Sequence, residues 1–354
     1  MRDPSMWVCP RRLSQRWISC LRLVVVAASI CLFPRWAFGQ SPELSMREFS
    51  SGQIKKGVRS IGFGGDGATW GNYALVWQDA DSAILDYGET HYTNGNNFDF
   101  VAVGLNTPQL WHDLTIYAVA MFQNTNNVRF SAKSPGLGSS AVALTGNGTD
   151  QGIFTKIGMP LGKGFSVGVL LNYETSHFDA STIATPIPQQ VRYETAWRPS
   201  GGIGITWEPN KKLLFGFRGL SNSDLERRTD PAGLTQGLVS KTEFRLGGSI
   251  SPWNGAQIDA GATRLARSNP QDGTHDIFYA PNLGFEQALL DKHLTLRAGL
   301  DETSPTAGVA LRFARYKLDA GYVHDMAIKR VGDLFGANSQ SVVFTFTVDY
   351  GHAK

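Results

Sequence analysis

From Ala83 to Tyr350 the chain runs in short segments that alternate apolar and polar residues. The last is the clearest. Val342, Phe344, Phe346, Val348 and Tyr350 fall on one side of an extended strand, and Val343, Thr345, Thr347 and Asp349 fall on the other. A period of two marks a strand with two unlike faces. The pattern repeats upstream. Phe165, Val167, Val169, Leu171 and Tyr173 oppose Ser166, Gly168 and Asn172; Leu294, Leu296, Ala298 and Leu300 oppose Thr295, Arg297 and Gly299. Such runs predict fourteen strands, near 83–92, 97–105, 114–122, 152–159, 164–174, 201–208, 212–219, 242–251, 256–264, 279–288, 293–300, 306–313, 316–324 and 341–350.

The connections alternate as well. Short turns at Pro160–Lys163, Glu208–Lys211, Pro252–Asn254, Leu290–Lys292 and Ala314–Arg315 trade with longer polar stretches at 123–151, 175–200, 220–241, 265–278 and 325–340. Only 301–305 is short on the long side. Short turns at one end, long loops at the other and an even strand number describe a transmembrane antiparallel β-barrel. A bilayer cannot satisfy an open sheet edge, so strands that cross it close on themselves. The apolar faces then meet lipid, and Asp99, Lys156, Arg218, Glu243, Arg245, Asp259, Arg297, Arg312, Lys317, Asp319 and Asp349 are expected to point into the lumen. Tyr173, Trp207, Phe313, Tyr316, Tyr322 and Tyr350 lie near strand ends, where an aromatic girdle would sit. A soluble β-sandwich burying the same faces between two sheets gives the same alternation.

The first 39 of the 354 residues differ from the rest. Arg11, Arg12, Arg16 and Arg22 precede the apolar run Leu23–Phe33, and Ala37-Phe38-Gly39 places small residues before Gln40. This is the layout of a cleaved signal peptide, and the run is short for a transmembrane helix. All three cysteines, Cys9, Cys20 and Cys31, lie within it, so the exported chain would have no disulfide and no thiolate metal site. Residues 1–39 also carry six basic residues and one acidic one, which leaves 27 Lys and Arg against 29 Asp and Glu. The net charge of +3 therefore belongs to the leader, and nucleic acid is not an expected partner. Gly62–Gly67 spells G-x-G-x-x-G, but no βαβ unit surrounds it. It reads as a glycine-rich turn, and no cofactor is expected.

The sequence V-R-S-I-G-F-G-G at 58–65, a run of small residues, and D-A-D-S-A at 79–83 together resemble the start of FadL-type outer-membrane transporters and the related PorV-like barrels. Ile84–Gly88 stands where that group has Asn-Pro-Ala, and no binding residue carries over by position. The resemblance implies a fourteen-stranded barrel (81–354) in the bacterial outer membrane, with an N-terminal hatch (40–80) folded into it. It also implies uptake of hydrophobic molecules such as long-chain fatty acids or aromatic hydrocarbons. Outer-membrane lipids and the barrel-assembly machinery would be its partners. Within the hatch, Phe63, Trp70, Tyr73, Leu75 and Trp77 are candidate substrate-binding residues, since such a pocket is mostly apolar. They could equally pack the hatch against the wall. Two other readings stay open: a structural or partner-binding barrel, and an outer-membrane hydrolase. The hydrolase reading has only His91, His112, His177, His275, His293, His324 and His352 to draw on, scattered and without a pair at catalytic or metal-ligand spacing.

Overall fold

The computed structural model describes residues 68–69, 72–75, 81–92, 95, 97–107, 110, 113–134, 138–183, 187–269, 274–301, 304–324 and 339–350. The segment 1–39, and with it the leader expected there, lies outside the described residues.

The chain folds into fourteen strands: β1 (Ser82–Tyr92), β2 (Asn97–Asn106), β3 (Thr115–Ser134), β4 (Gly138–Gly162), β5 (Phe165–Thr182), β6 (Gln190–Asn210), β7 (Leu213–Asp230), β8 (Gly233–Ile250), β9 (Ala256–Asn269), β10 (Thr274–Leu289), β11 (Leu294–Asp301), β12 (Ser304–Phe313), β13 (Tyr316–His324) and β14 (Ser339–Asp349). Each strand pairs with its sequence neighbours, and β1 pairs antiparallel with β14, which closes the barrel. The Tyr350 amide donates to the Asp81 carbonyl (2.8 Å) just below that seam. No edge is left, so every wall strand can satisfy its backbone within the sheet.

Alternation sets the two faces. On β2 the outward Val101, Val103 and Leu105 are exposed, and the intervening Phe98, Phe100 and Ala102 are buried. Leu171, Ile203, Ile205, Leu246, Leu283, Leu296, Leu318, Phe344 and Phe346 continue the exposed apolar band around the wall. At the short-turn rim Trp207 stacks between Phe165 and Phe215, with ring centroids 5.8 Å apart on each side. These rings, with Phe313 and Tyr316, form an aromatic girdle at that level.

Strand lengths are uneven. β1, β2 and β11–β14 have 8 to 11 residues, close to the ~9–11 that cross a bilayer, whereas β3–β8 have 18 to 25. Most of 123–151, 175–200, 220–241 and 265–278, expected as loops, is therefore strand. The reason is a reversal of polarity beyond the membrane. Outside the lipid the outer face meets water and carries His177, Asp179, Arg192 and Glu194, where His177 meets Asp179 and Glu194, and Asp179 meets Arg192. The inner face carries Val128, Leu144, Phe178, Val191, Tyr193 and Val239, nearly inaccessible. Polar-out and apolar-in over these stretches lacks the lipid-facing stripe by which the membrane-crossing strands are recognised.

The two faces give a direct test on β14. Phe344 is 45% exposed on the outer wall, and Thr345 is 8% exposed with its hydroxyl donating to Asp86 (2.5 Å). Phe344→Arg should lower the folding yield into lipid vesicles, because arginine at mid-bilayer costs about 2–4 kcal/mol. Thr345→Arg places the cation beside Asp86 and should fold nearly as well as wild type. Equal yields would reverse the assignment of faces.

Candidate functional site in the barrel lumen

Inward positions on β4–β9 are unusually poor in side chains. Gly158, Gly168 and Gly204 lie in register across β4, β5 and β6, and Gly216, Gly247 and Gly261 do so across β7, β8 and β9. Glycine within a strand costs roughly 0.5–1 kcal/mol against alanine, so six in two rows call for a reason. Backbone packed on top of Gly168, Gly204 and Gly216 supplies it for three of them. Ala68, Thr69 and Asn72–Leu75, the described residues of the 40–80 segment, are buried against this strip. A Cβ at Gly216 would overlap the Ala68 carbonyl; at Gly168 it would overlap the Tyr73 carbonyl, and at Gly204 the Asn72 side-chain oxygen.

Polar bonds hold the segment in place. The Thr69 hydroxyl donates to Asp259 (2.5 Å), and the Asn72 amide donates to the Phe217 carbonyl (2.9 Å) and back to Ala68 (2.6 Å). The Arg218 guanidinium lies over the Tyr73 ring, 5.4 Å from its centre. Among the candidate hatch residues, Tyr73 and Leu75 are thus buried inside the barrel. Phe63, Trp70 and Trp77 lie outside the described residues.

Most of the inward charges expected from the sequence are ion-paired, in three groups. Glu243 accepts from Arg218 (3.1 Å) and Arg245 (2.6 Å), all three buried. Arg297 lies between Glu286 (2.7 Å) and Asp319 (2.7 Å), and Asp319 also meets Lys317 (2.8 Å). At the short-turn rim Arg312 meets Asp349 (2.7 Å) in an exposed pair, worth at most ~1 kcal/mol. Lys156 lies over the Tyr117 ring at 5.4 Å. Asp99 does not belong with them. It sits on the outer face in register with Glu89, at the rim where β2 leaves the apolar band, because Phe98, Phe100 and Ala102 take the inner positions.

Those inner residues were not foreseen as a site. Phe100, Ala102, Met121, Val323 and Val343 form one buried apolar cluster, with Val119 and Phe154 packed against it. Gly88 makes this possible: it lies between Phe100 and Val343 in register, and a Cβ there would overlap the Phe100 ring. The described lumen therefore has an apolar patch on β2–β4 and β13–β14, and its ion-paired groups lie on β7, β8 and β10–β14. The legible signal was N-F-D-F-V-A-V-G-L at 97–105, which is apolar on both faces of the strand. His91, His177, His293 and His324 lie on outward positions or in a turn, bonded to Glu89, Asp179, the Arg312 carbonyl and Tyr322, and His275 is exposed.

No family model and no curated protein matches the sequence. Solved structures do match the fold. The toluene transporter TodX of Pseudomonas putida is 10% identical with a TM-score of 0.56, over 88% of this chain and 100% of that one. A TodX monoaromatic hydrocarbon channel lacking S2 gives 10% and 0.57, over 84% and 99%. The CymD monoaromatic hydrocarbon channel gives 12% and 0.51, over 84% and 100%. The chain shares its fold with these TodX and CymD channels.

Proposed function

We propose that the protein is a bacterial outer-membrane channel for the uptake of hydrophobic small molecules, with residues 40–80 as its plug and residues 1–39 as a cleaved export signal. The observation that carries this reading is the apolar patch on the inner wall, Phe100, Ala102, Met121, Val323 and Val343. A pore for ions and sugars is polar inside, and burying aromatic and aliphatic side chains on the lumen side suits an apolar solute. The glycine strip that receives the N-terminal segment supports the plug. The structural neighbours are a toluene transporter and monoaromatic hydrocarbon channels, and this chain would take the same broad class, with long-chain fatty acids as the other candidates. Outer-membrane lipids would surround the barrel, and the barrel-assembly machinery would insert it.

Accumulation of radiolabelled toluene and oleate in cells with and without the gene tests the reading. Several-fold faster accumulation of at least one is expected with the gene; equal rates for both would sink it. The charged outer face of β5 and β6 beyond the bilayer favours a second reading, a barrel that docks a partner protein. Under that reading, cross-linking through Arg192 would trap a protein while uptake stays unchanged.

A further inference from the structure

We infer that the channel's substrate is an amphiphile with an uncharged, hydrogen-donating head, held by a row of polar side chains beside the apolar patch. This rests on the uptake reading and narrows it. The row is Asn172 on β5, Ser200 on β6 and Asn222 on β7. Asn172 and Ser200 are in register, and Gly201–Ser221 is the register pair that places Asn222 beside Ser200. All three face inward and are 6%, 9% and 7% exposed. Asn172 Oδ1, Ser200 Oγ and Asn222 Oδ1 are buried and accept no hydrogen bond. A buried polar oxygen without a donor is destabilising, so three in one row is a feature that calls for a ligand.

The wall itself is interrupted at the same place. Register pairing between β6 and β7 stops at Thr195–Glu226 and resumes at Gly201–Ser221. Five residues of β6, 196–200, thus face four of β7, 222–225, without ladder partners, and Pro199 among them has no N–H to give. Bulges of this kind re-aim side chains and leave backbone groups open to a ligand.

The row continues into the apolar patch. Phe154 on β4 is in register with Asn172, and Val119 on β3 with Phe154. Adjacent strands are about 4.8 Å apart, so a head on the three oxygens would have its apolar body on Phe154, Val119 and Met121 roughly one or two strands away. The sign of the head follows from the acceptors. The oxygens call for O–H or N–H donors, which a carboxylate lacks. The Glu174 carboxylate accepts from the Asn222 amide (3.4 Å) and Lys241 is in register with Asn222, so one charge of each sign flanks the row. A hydroxyl on an alkyl or aromatic body fits all of this. A plain hydrocarbon leaves the oxygens unpaired.

The test is calorimetric binding to the full-length protein in lipid nanodiscs, with protein-free discs subtracted, using 4-propylphenol, propylbenzene and 4-propylbenzoate. The phenol should bind about tenfold more tightly than the other two, the worth of one or two net hydrogen bonds. Asn172→Leu with Asn222→Leu should bring phenol and hydrocarbon to within about threefold by removing those bonds. Heat-modifiable migration reports whether the variant barrel has folded. If it has not, Ser200→Ala replaces it and should weaken phenol binding about threefold by the same reasoning. Propylbenzene or 4-propylbenzoate binding as tightly as the phenol overturns the inference and leaves the channel reading standing. So does a folded variant that keeps the tenfold preference. Failure of all three probes to bind overturns the inference, and the toluene and oleate uptake rates then decide the channel reading separately.

Discussion

Deletion of residues 40–80 should raise single-channel conductance several-fold in planar bilayers while the barrel still forms. Fourteen strands enclose more space than the ~8 whose side chains fill their own interior. The inner wall is further thinned by glycine at Gly158, Gly168, Gly204, Gly216, Gly247 and Gly261. Side chains of the wall are thus poorly suited to blocking the lumen. Ala68, Thr69 and Asn72–Leu75 are buried, and they fill the space over Gly168, Gly204 and Gly216. A point substitution should mimic the deletion. In Gly216→Val a branched side chain would occupy the position of the Ala68 carbonyl, so the segment must leave. The wall can accept the change, because valine is at home in a strand and the register neighbour Gly247 offers room. Full-length wild type that already conducts as widely as the deletion would indicate a general porin. Loss of heat-modifiable barrel on deletion would mean that 40–80 is needed to build the wall.

The membrane-crossing fold was legible because lipid imposes one rule on every strand. Wherever the outer face meets hydrocarbon, Val342-Phe344-Phe346 and Phe165-Val167-Val169 announce themselves by alternation alone, and tight turns mark the ends. The strand extensions were hidden for the complementary reason. Asp179, Arg192 and Glu194 face water, and their apolar partners Phe178, Val191 and Tyr193 face in, so the stretch reads as mixed polar loop. Charged lumen residues such as Arg218, Glu243 and Asp319 were visible as polar positions on otherwise apolar strands. Their partners were not, because ion pairs across strands depend on stagger. Glu243 meets Arg218 on β7, where the register pairs are Arg218–Arg245 and Leu220–Glu243. The apolar patch escaped for a third reason. Phe98 and Phe100 share a strand with Val101 and Val103, and nothing in the alternation says which face of a doubly apolar strand meets lipid.

Arg297→Met should destabilise the barrel by about 3–5 kcal/mol, read as a shift of the urea midpoint for unfolding from lipid vesicles. The Arg297 side chain is 2% exposed on β11. Its Nε donates to Glu286 on β10 and its Nη1 to Asp319 on β13, each at 2.7 Å, so one cation ties strands on both sides of its own. Methionine keeps the volume and removes the charge. Glu286 would then be left with no cation at this position, and Asp319, also 2% exposed, would keep only Lys317 at 2.8 Å. Uncompensated buried charge dominates the cost, more than lost packing, and this gives the prediction its control. Adding Glu286→Gln and Asp319→Leu to Arg297→Met removes the stranded carboxylates and should return most of the lost stability, since replacing a whole buried ion cluster by apolar groups is often neutral. At the rim, Arg312→Met breaks a pair that is 54% and 35% exposed and should move the midpoint little. A single Arg297→Met variant as stable as wild type would mean that water reaches this cluster from the lumen and screens it. If the triple variant stayed as unstable as the single one, the role of Arg297 would be packing rather than charge.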